Sequence, residues 1–185
     1  MNTTLKATIA AMVLSFSTGT MAGESTKAIQ LQWQGLVPMT PTATGDWKFV
    51  DPVTGADYVP VMGVLNIAGG DIKTVTPTPA QIGLKANTGA FTPSTIIKAY
   101  LATPPTYIGL TGSTPPSDHI ISVNGTVLGV GSGSSVDVGQ VGATSTATDI
   151  IPLTVTGTGK LEQASYTPGD TVILTANLMV TADVT

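Results

Sequence analysis

The sequence predicts an all-β domain, a sandwich or a barrel assembled from short strands. After residue 22, apolar residues alternate with polar ones or form short runs. Glycine, proline and threonine interrupt every longer stretch, and the whole chain has 21 glycines and 13 prolines. Short strands separated by such turn residues are typical of β-sandwiches and β-barrels. Residues 81–87 are the one segment that could instead form a helix, and they are too few for the pattern to decide.

Ten segments carry the strand pattern, a short apolar or alternating run bounded by turn residues. These predicted strands are residues 29–37, 47–50, 58–68, 72–76, 96–101, 119–123, 126–130, 135–138, 150–156 and 171–182. No internal repeat is visible. Subtracting the first 22 residues from the 185 leaves 163, which fits a single domain.

The most specific local prediction is a β-hairpin over residues 119–128. Asn124 and Gly125 stand between two apolar runs. An Asn-Gly pair readily adopts the two positive φ angles of a type I′ turn. We therefore expect a two-residue turn at this position.

Residues 1–22 have the pattern of a secretory signal peptide. Lys6 precedes an apolar run over residues 7–16, and small residues lead to a predicted cleavage site between Ala22 and Gly23. The run is about half as long as the roughly 20 residues that a membrane-spanning helix needs. We therefore expect export rather than anchoring by a helix.

Charge and residue types exclude several functions. Charged residues make up 10% of the chain, against roughly 25% in an ordinary soluble domain. All seven basic residues are lysines and the net charge is −4, so nucleic acid is not an expected partner, because phosphate binding needs a basic surface. The chain has no cysteine, so no disulfide can stabilise an exported protein.

The sequence does not predict an enzyme, a metal site or a cofactor. His119, the single histidine, has no catalytic motif around it and is predicted to lie at the surface. The glycine-rich segment 129–133 lacks the spacing of a phosphate-binding loop. Asp46, Asp51 and Asp57 could offer oxygen ligands to calcium, but their spacing is not that of an EF-hand. We interpret them as solvated loop residues.

The strongest alternation lies near the C-terminus, over residues 171–182. Its apolar face consists of Val172, Leu174, Ala176, Leu178, Val180 and Ala182. The turn sequence Tyr-Thr-Pro-Gly-Asp occupies residues 166–170, directly before it. We therefore expect a long strand with one buried face and one mostly wet face.

A second alternating strand begins shortly after the predicted cleavage site. The residues on its apolar face are Ile29, Leu31, Trp33, Gly35 and Val37. Three glutamines lie on the other face, and Pro38 ends the strand because proline cannot donate to a ladder. Periodicity alone leaves open whether this strand pairs within its own domain.

Together, the two ends of the chain resemble the subunits of chaperone–usher fimbriae. In that family a tyrosine-containing turn leads into a long alternating C-terminal strand, and an immunoglobulin-like sandwich lacks its last strand. An alternating N-terminal extension of the next subunit fills the groove. Residues 166–182 match the first element, and residues 29–37 match the donor segment, including a glycine among the inserted positions. The lack of cysteine points to cysteine-free branches, such as alternative chaperone–usher colonisation factors or related adhesive major subunits.

The resemblance implies a division of the chain into three parts. These are a signal peptide at residues 1–22, a donor strand at 23–38 and an immunoglobulin-like β-sandwich at 39–185, whose incomplete edge is completed by donor-strand exchange. The donor residues would be the apolar face of the N-terminal strand. The acceptor groove would be bordered by Val172, Leu174, Ala176, Leu178 and Val180.

The resemblance also implies a function, a structural subunit of a surface fimbria that polymerises by strand donation and supports adhesion to host cells. Expected partners are identical or related fimbrial subunits, a periplasmic chaperone, an outer-membrane usher and a host glycan or protein receptor. The protein would pass through the periplasm to the cell surface. The alternative is a secreted monomeric β-sandwich adhesin or carbohydrate-binding module with a self-complete fold.

Overall fold

The computed structural model describes residues 24–32, 47–116, 118–144, 146 and 148–184. Strands account for 51% of these residues, and helix within them is limited to two three-residue 3₁₀ turns, Ser132–Ser134 and Gln163–Ser165. The all-β prediction is therefore confirmed. The predicted signal peptide lies outside the described residues.

Twelve strands form in the described part of the chain, and their ladders are antiparallel. They are β1 (Glu24–Gln32), β2 (Trp47–Val50), β3 (Leu65–Ala68), β4 (Lys73–Pro77), β5 (Ala80–Ala86), β6 (Ile96–Leu101), β7 (Thr106–Ile108), β8 (His119–Val123), β9 (Thr126–Val127), β10 (Val136–Gln140), β11 (Ile150–Leu161) and β12 (Ile173–Asp183).

The first sheet places the N-terminal strand beside the C-terminal one. Its order is β1-β12-β6-β10, and the short β7 also pairs with β12. Thr175 of β12 pairs with both Gln32 of β1 and Thr106 of β7. Because a strand has two edges, β1 and β7 must lie on opposite sides of β12. β12 is therefore an inner strand, and β1 closes that end of the sheet.

The second sheet is organised around the twelve-residue strand β11. Val155 pairs with β5 and with β8, and Gly159 pairs with β4 and with β8. Hence β4 and β5 follow one another along one side of β11, and β8 lies on the other side. The outer strands β2, β3 and β9 pair with β5, β4 and β8 respectively. The sheets curl into a half-barrel.

One hydrophobic core receives side chains from both sheets. Among its fully buried members are Trp47 and Ile82 from the second sheet and Leu174 and Leu178 from the first. The rings of Trp47 and Phe49 meet edge to face with their centroids 5.2 Å apart, a geometry that stabilises aromatic pairs beyond their burial. Since burying one large aliphatic side chain contributes about 1.5–3 kcal/mol, this core can hold a fold that has no disulfide.

Several strands have the predicted bounds, and the undecided segment is resolved. The structure has strands at Trp47–Val50, Ile96–Leu101 and His119–Val123, as predicted. Residues 81–87 lie almost entirely in β5, not in a helix. The side chains of that strand are buried at alternating positions, which suits the two faces of a sheet.

Some strand predictions need correction. Of the predicted strand 126–130, only Thr126–Val127 forms a strand. Of the predicted strand 58–68, only Leu65–Ala68 forms a strand, because Pro60 and Gly63 interrupt the ladder before it. Strand β7 was missed, because three residues bounded by a proline pair and a glycine carry almost no periodic signal.

The predicted hairpin turn is confirmed at Asn124 and Gly125. Their φ angles are 50° and 83°, both positive as a type I′ turn requires. The Asn124 amide nitrogen donates to the Val138 carbonyl over 2.8 Å, and its amide oxygen accepts from the Thr154 N–H over 2.8 Å. The side chain therefore ties the turn to β10 and to β11.

Replacement of Asn124 by alanine should lower the free energy of unfolding by about 1–3 kcal/mol, because it removes both hydrogen bonds and disfavours a positive φ. Urea unfolding followed by circular dichroism measures this change. Asn66→Ala on the exposed strand β3 is the matched control and should change stability by less than about 0.5 kcal/mol. Equal losses in the two variants would contradict the assigned role.

Candidate functional site

The seam between β1 and β12 is the candidate functional site. All nine residues of β1 have partners in β12, from Glu24 opposite Asp183 to Gln32 opposite Thr175. The structure thus pairs the described part of the predicted N-terminal strand, residues 29–32, with the C-terminal strand that the sequence singled out. Among the described residues, β1 is the ladder partner of β12 on this side, while β6 and β7 hold its other side.

Burial in the seam follows the alternation of the two strands. Ile29 is 2% exposed and lies opposite Leu178, which is fully buried. On the outer face, the Thr26 and Thr181 hydroxyls share a hydrogen bond of 3.1 Å. The seam therefore combines an apolar contact toward the core with a backbone ladder and a polar contact on the other face.

The residues predicted to border the acceptor groove lie mostly on the buried face of β12. Leu174, Ala176, Leu178 and Val180 are 0–2% exposed and form the inward face of β12. Val172 is half-buried and precedes the first residue of β12. The apolar face of this strand is thus part of the domain core, and β1 runs along its edge.

The structure describes two of the five predicted donor residues. Ile29 is buried in the core, and Leu31 lies opposite Ala176 in the ladder. Trp33, Gly35 and Val37 lie outside the described residues. The observed strand starts at Glu24, five positions before the predicted start. The prediction missed its first residues because they are largely polar and show no apolar alternation.

Lys27 is the unexpected inward residue of β1. Its neighbours Thr26 and Ala28 are exposed, whereas Lys27 is half-buried. The Lys27 ammonium nitrogen is inaccessible to solvent and lies 5.4 Å from the ring centroid of Trp47, which is itself fully buried. Sequence reasoning overlooked this residue because lysine is normally assigned to the surface.

Tyr107 and His119 connect the two sheets beside the start of β12. The Tyr107 hydroxyl and His119 Nδ1 are 2.5 Å apart, and the rings meet edge to face with centroids 5.4 Å apart. Tyr107 lies opposite Leu174 in the ladder, so the pair joins the neighbour of β12 to β8. His119 was predicted to lie at the surface and is half-buried, because β8 turns its ring toward β11.

Gly159 of β11 leaves the space that the His119 ring occupies. A Cβ atom at Gly159 would lie 2.3 Å from His119 Nδ1 and 2.7 Å from the Tyr107 hydroxyl oxygen. Burial lowers the pKa of His119 to about 4 and raises the pKa of Tyr107. At neutral pH the imidazole is therefore uncharged. Its Nε2 atom is buried and has no hydrogen-bond partner in the described part of the chain.

The candidate calcium ligands have structural roles where they are described. The N–H and the hydroxyl of Thr54, followed by the N–H of Val53, donate hydrogen bonds to Asp51 and lower its pKa. Asp57 forms an ion pair with Lys48, and Asp46 lies outside the described residues. No group of three potential metal ligands occurs among the residues that the structure describes.

No protein-family model, curated protein or solved structure matches this chain. Within the described ranges, no helix is long and apolar enough to cross a membrane.

Stability should fall as the pH is lowered from about 6.5 to about 4, in part because of His119. The pKa of His119 lies near 4 when folded and near 6.5 when unfolded, so the unfolded chain binds more protons between these values. The stabilisation is fully present above pH 6.5 and is lost as the pH approaches 4. Because the ring is not fully buried, we expect a loss of about 1–2 kcal/mol.

Urea unfolding of the natural chain and of His119→Gln at pH 7 and pH 4.5 measures this contribution. Carboxylates titrate in both proteins, so the difference between the two pH dependences isolates the histidine. His119→Gln should lose less stability on acidification. An identical loss in both proteins would contradict the assignment.

Proposed function

We propose that this protein is a structural subunit of a surface fimbria that polymerises by donating its N-terminal strand to the groove of a neighbouring subunit and supports adhesion to host cells. The observation that carries the proposal is the β1–β12 seam. An N-terminal strand there completes the edge of the C-terminal strand along nine residues. The same pairing between two copies would join them.

The physical basis is the state of β12 when β1 leaves it. Its backbone groups on that side would lose their ladder partners, and the site of Ile29 would open next to Leu178. An unpaired edge with apolar pockets is a template for strand addition. A strand from another copy would pair with these backbone groups and fill these pockets. The ladder would supply affinity, and the pockets would fix the register.

The chain between β1 and β2 is long enough for exchange. Beyond the predicted donor segment 23–38, eight residues remain before Trp47, and a chain of that length can span at most roughly 29 Å. A strand released from its own domain can therefore reach a neighbouring one. Since donor and acceptor are different surfaces of one subunit, the contact is heterologous, and its repetition gives an open filament.

Under this proposal, the protein would have the finer architecture and the partners of the chaperone–usher family. The domain would be an immunoglobulin-like sandwich whose edge is incomplete without a donated strand. An exposed edge would need a periplasmic chaperone before assembly and an outer-membrane usher at the cell surface. Other fimbrial subunits would be the lasting partners, and a host glycan or protein would be the receptor.

A secreted monomeric adhesin or carbohydrate-binding module is the second candidate. It is favoured by the pairing of β1 with β12 of the same chain. In that case the seam is a permanent part of one domain. The protein would then bind its ligand without assembling.

Moving the donor strand separates the two candidates. Because Glu24 lies opposite Asp183, residues 24–38 can be deleted and appended after Thr185 through a short turn. This variant should fold, since the same seam forms as a hairpin, but it should not polymerise, because the strand is tethered to its own groove. The natural chain should form SDS-resistant ladders that collapse on heating.

Electrophoresis without heating, on material from cells that export each protein, provides the readout. Deletion of residues 24–38 without the appended copy is the second variant and should give neither a stable monomer nor a ladder. Normal ladders from the rearranged chain would contradict strand donation. A natural chain that remains monomeric and binds its ligand would support the adhesin.

A further inference from the structure

A cavity lies between the β3–β4 hairpin and the turn that leads into β12. Its volume is about 300 Å³, at the lower end of the range of roughly 300–1,000 Å³ for small-molecule sites. Apolar walls come from residues such as Ile67 of β3 and Leu161 at the end of β11. Lys73, Tyr166 and Asp170 add a cation, an aromatic ring and a carboxylate. Apolar walls with a few polar groups are typical of a binding site for a small organic molecule.

Lys73 brings a positive charge that no carboxylate of the described residues neutralises. Its ammonium nitrogen donates to the Gly69 carbonyl oxygen over 2.9 Å and lies 5.6 Å from the ring centroid of Tyr166. The side-chain ion pair within the described ranges is that of Lys48 with Asp57. An ammonium group has three N–H donors, so donors of Lys73 remain for a ligand. Because the side chain is half-buried, a ligand anion there is attracted more strongly than at a fully exposed lysine.

Hydrogen bonds fix the turn that supplies the ring and the carboxylate. The Tyr166 hydroxyl donates to the Asp71 carbonyl oxygen over 3.0 Å. The Asp170 carboxylate accepts from the Thr167 N–H over 2.8 Å, from the Thr111 N–H over 2.9 Å and from the Thr111 hydroxyl over 2.8 Å. The bonds from the Thr167 and Thr111 N–H groups lower the pKa of Asp170, so it is ionised at neutral pH. A ligand therefore meets groups that are already in position, which reduces the cost of binding.

We propose that this cavity binds one acidic sugar residue, whose carboxylate pairs with Lys73. The hydroxyl groups of the sugar donate to Asp170, and the C–H face of its ring packs against Tyr166 and Ile67. Binding of the sugar concerns a single chain and does not depend on strand donation. Its use in attachment to a host glycan rests on the proposed adhesive function.

The two charges of the cavity favour this class of ligand. Lys73 and Asp170 form no ion pair with each other, so they act as separate poles that attract and repel a ligand carboxylate and thereby orient it. Asp170 accepts three hydrogen bonds from the chain, and its remaining capacity suits a hydroxyl group better than the three donors of an amino acid's ammonium group. A fatty acid would place hydrocarbon against this carboxylate, which is unfavourable.

Amide chemical shifts of the isotope-labelled mature chain test the binding. The probes are the methyl glycosides of glucuronic acid and of N-acetylneuraminic acid. Methyl glucoside is the neutral counterpart of the glucuronide, since it carries a hydroxymethyl group in place of the carboxylate. Shifts should centre on residues 166–170 and Lys73. At least one acidic sugar should have a dissociation constant about tenfold or more below that of the glucoside, because hydrogen bonds between charged groups are stronger than neutral ones.

Equal affinities of acidic and neutral sugars, or shifts centred elsewhere on the chain, would overturn the inference. Tighter binding of a free amino acid such as leucine would also overturn it, because the cavity would then serve a different class of ligand. These outcomes need no variant of the chain.

Lys73→Met removes the charge and keeps the length of the side chain. This variant should bind the acidic sugars no more tightly than the glucoside. Lys98→Met is the matched control, because it changes the net charge equally and Lys98 is exposed on β6 of the other sheet. It should retain the natural affinity within about twofold. An equal loss in both variants would assign the preference to net charge and contradict a site at Lys73.

Binding and assembly are measured separately, so their failures can be distinguished. A natural chain that binds an acidic sugar but forms no SDS-resistant ladder would contradict the fimbrial proposal and leave the sugar site standing. A chain that forms ladders but binds none of the sugars would leave strand donation standing and overturn the sugar site.

Discussion

The side of β12 that β1 covers is the constraint on which the rest of the structure depends. β6 and β7 satisfy one side of this strand, and its inward residues belong to the common core. The other side needs a ladder partner, and in this chain β1 supplies it. Because unpaired backbone groups beside an apolar slot are unfavourable in water, some strand must occupy that position. Under the proposed function, the copy that supplies the strand would decide between a monomer and a filament.

The surrounding framework keeps that edge in place without covalent cross-links. β12 is tied through Tyr107 to His119 of the second sheet, and glycine in β11 makes room for that contact. Asn124 performs a similar task at the other end of the hairpin, where its side chain bonds to two further strands. In a domain without cysteine, polar contacts of this kind help to hold neighbouring strands together, as a disulfide would.

Much of the fold could be predicted from the sequence, because alternation and turn chemistry are local. The Asn124-Gly125 turn and the inward face of β12 needed no knowledge of distant residues. β7 and the first half of β1 could not be predicted, since their strands form through pairing with β12 and not through their own composition. The burial of Lys27 and His119 depends on Trp47 and Gly159, which are distant in sequence.

A disulfide across the seam between two different chains tests the central claim most directly. The Thr26 and Thr181 side chains meet at 3.1 Å, and the natural chain has no cysteine that could interfere. One chain carrying Thr26→Cys and a second, distinguishable chain carrying Thr181→Cys would be exported together and oxidised. The account predicts a covalent dimer of the two different chains within the assembled material. A third chain that carries both cysteines is the control. Cross-linking within this control chain, with none between the two different chains, would contradict the account.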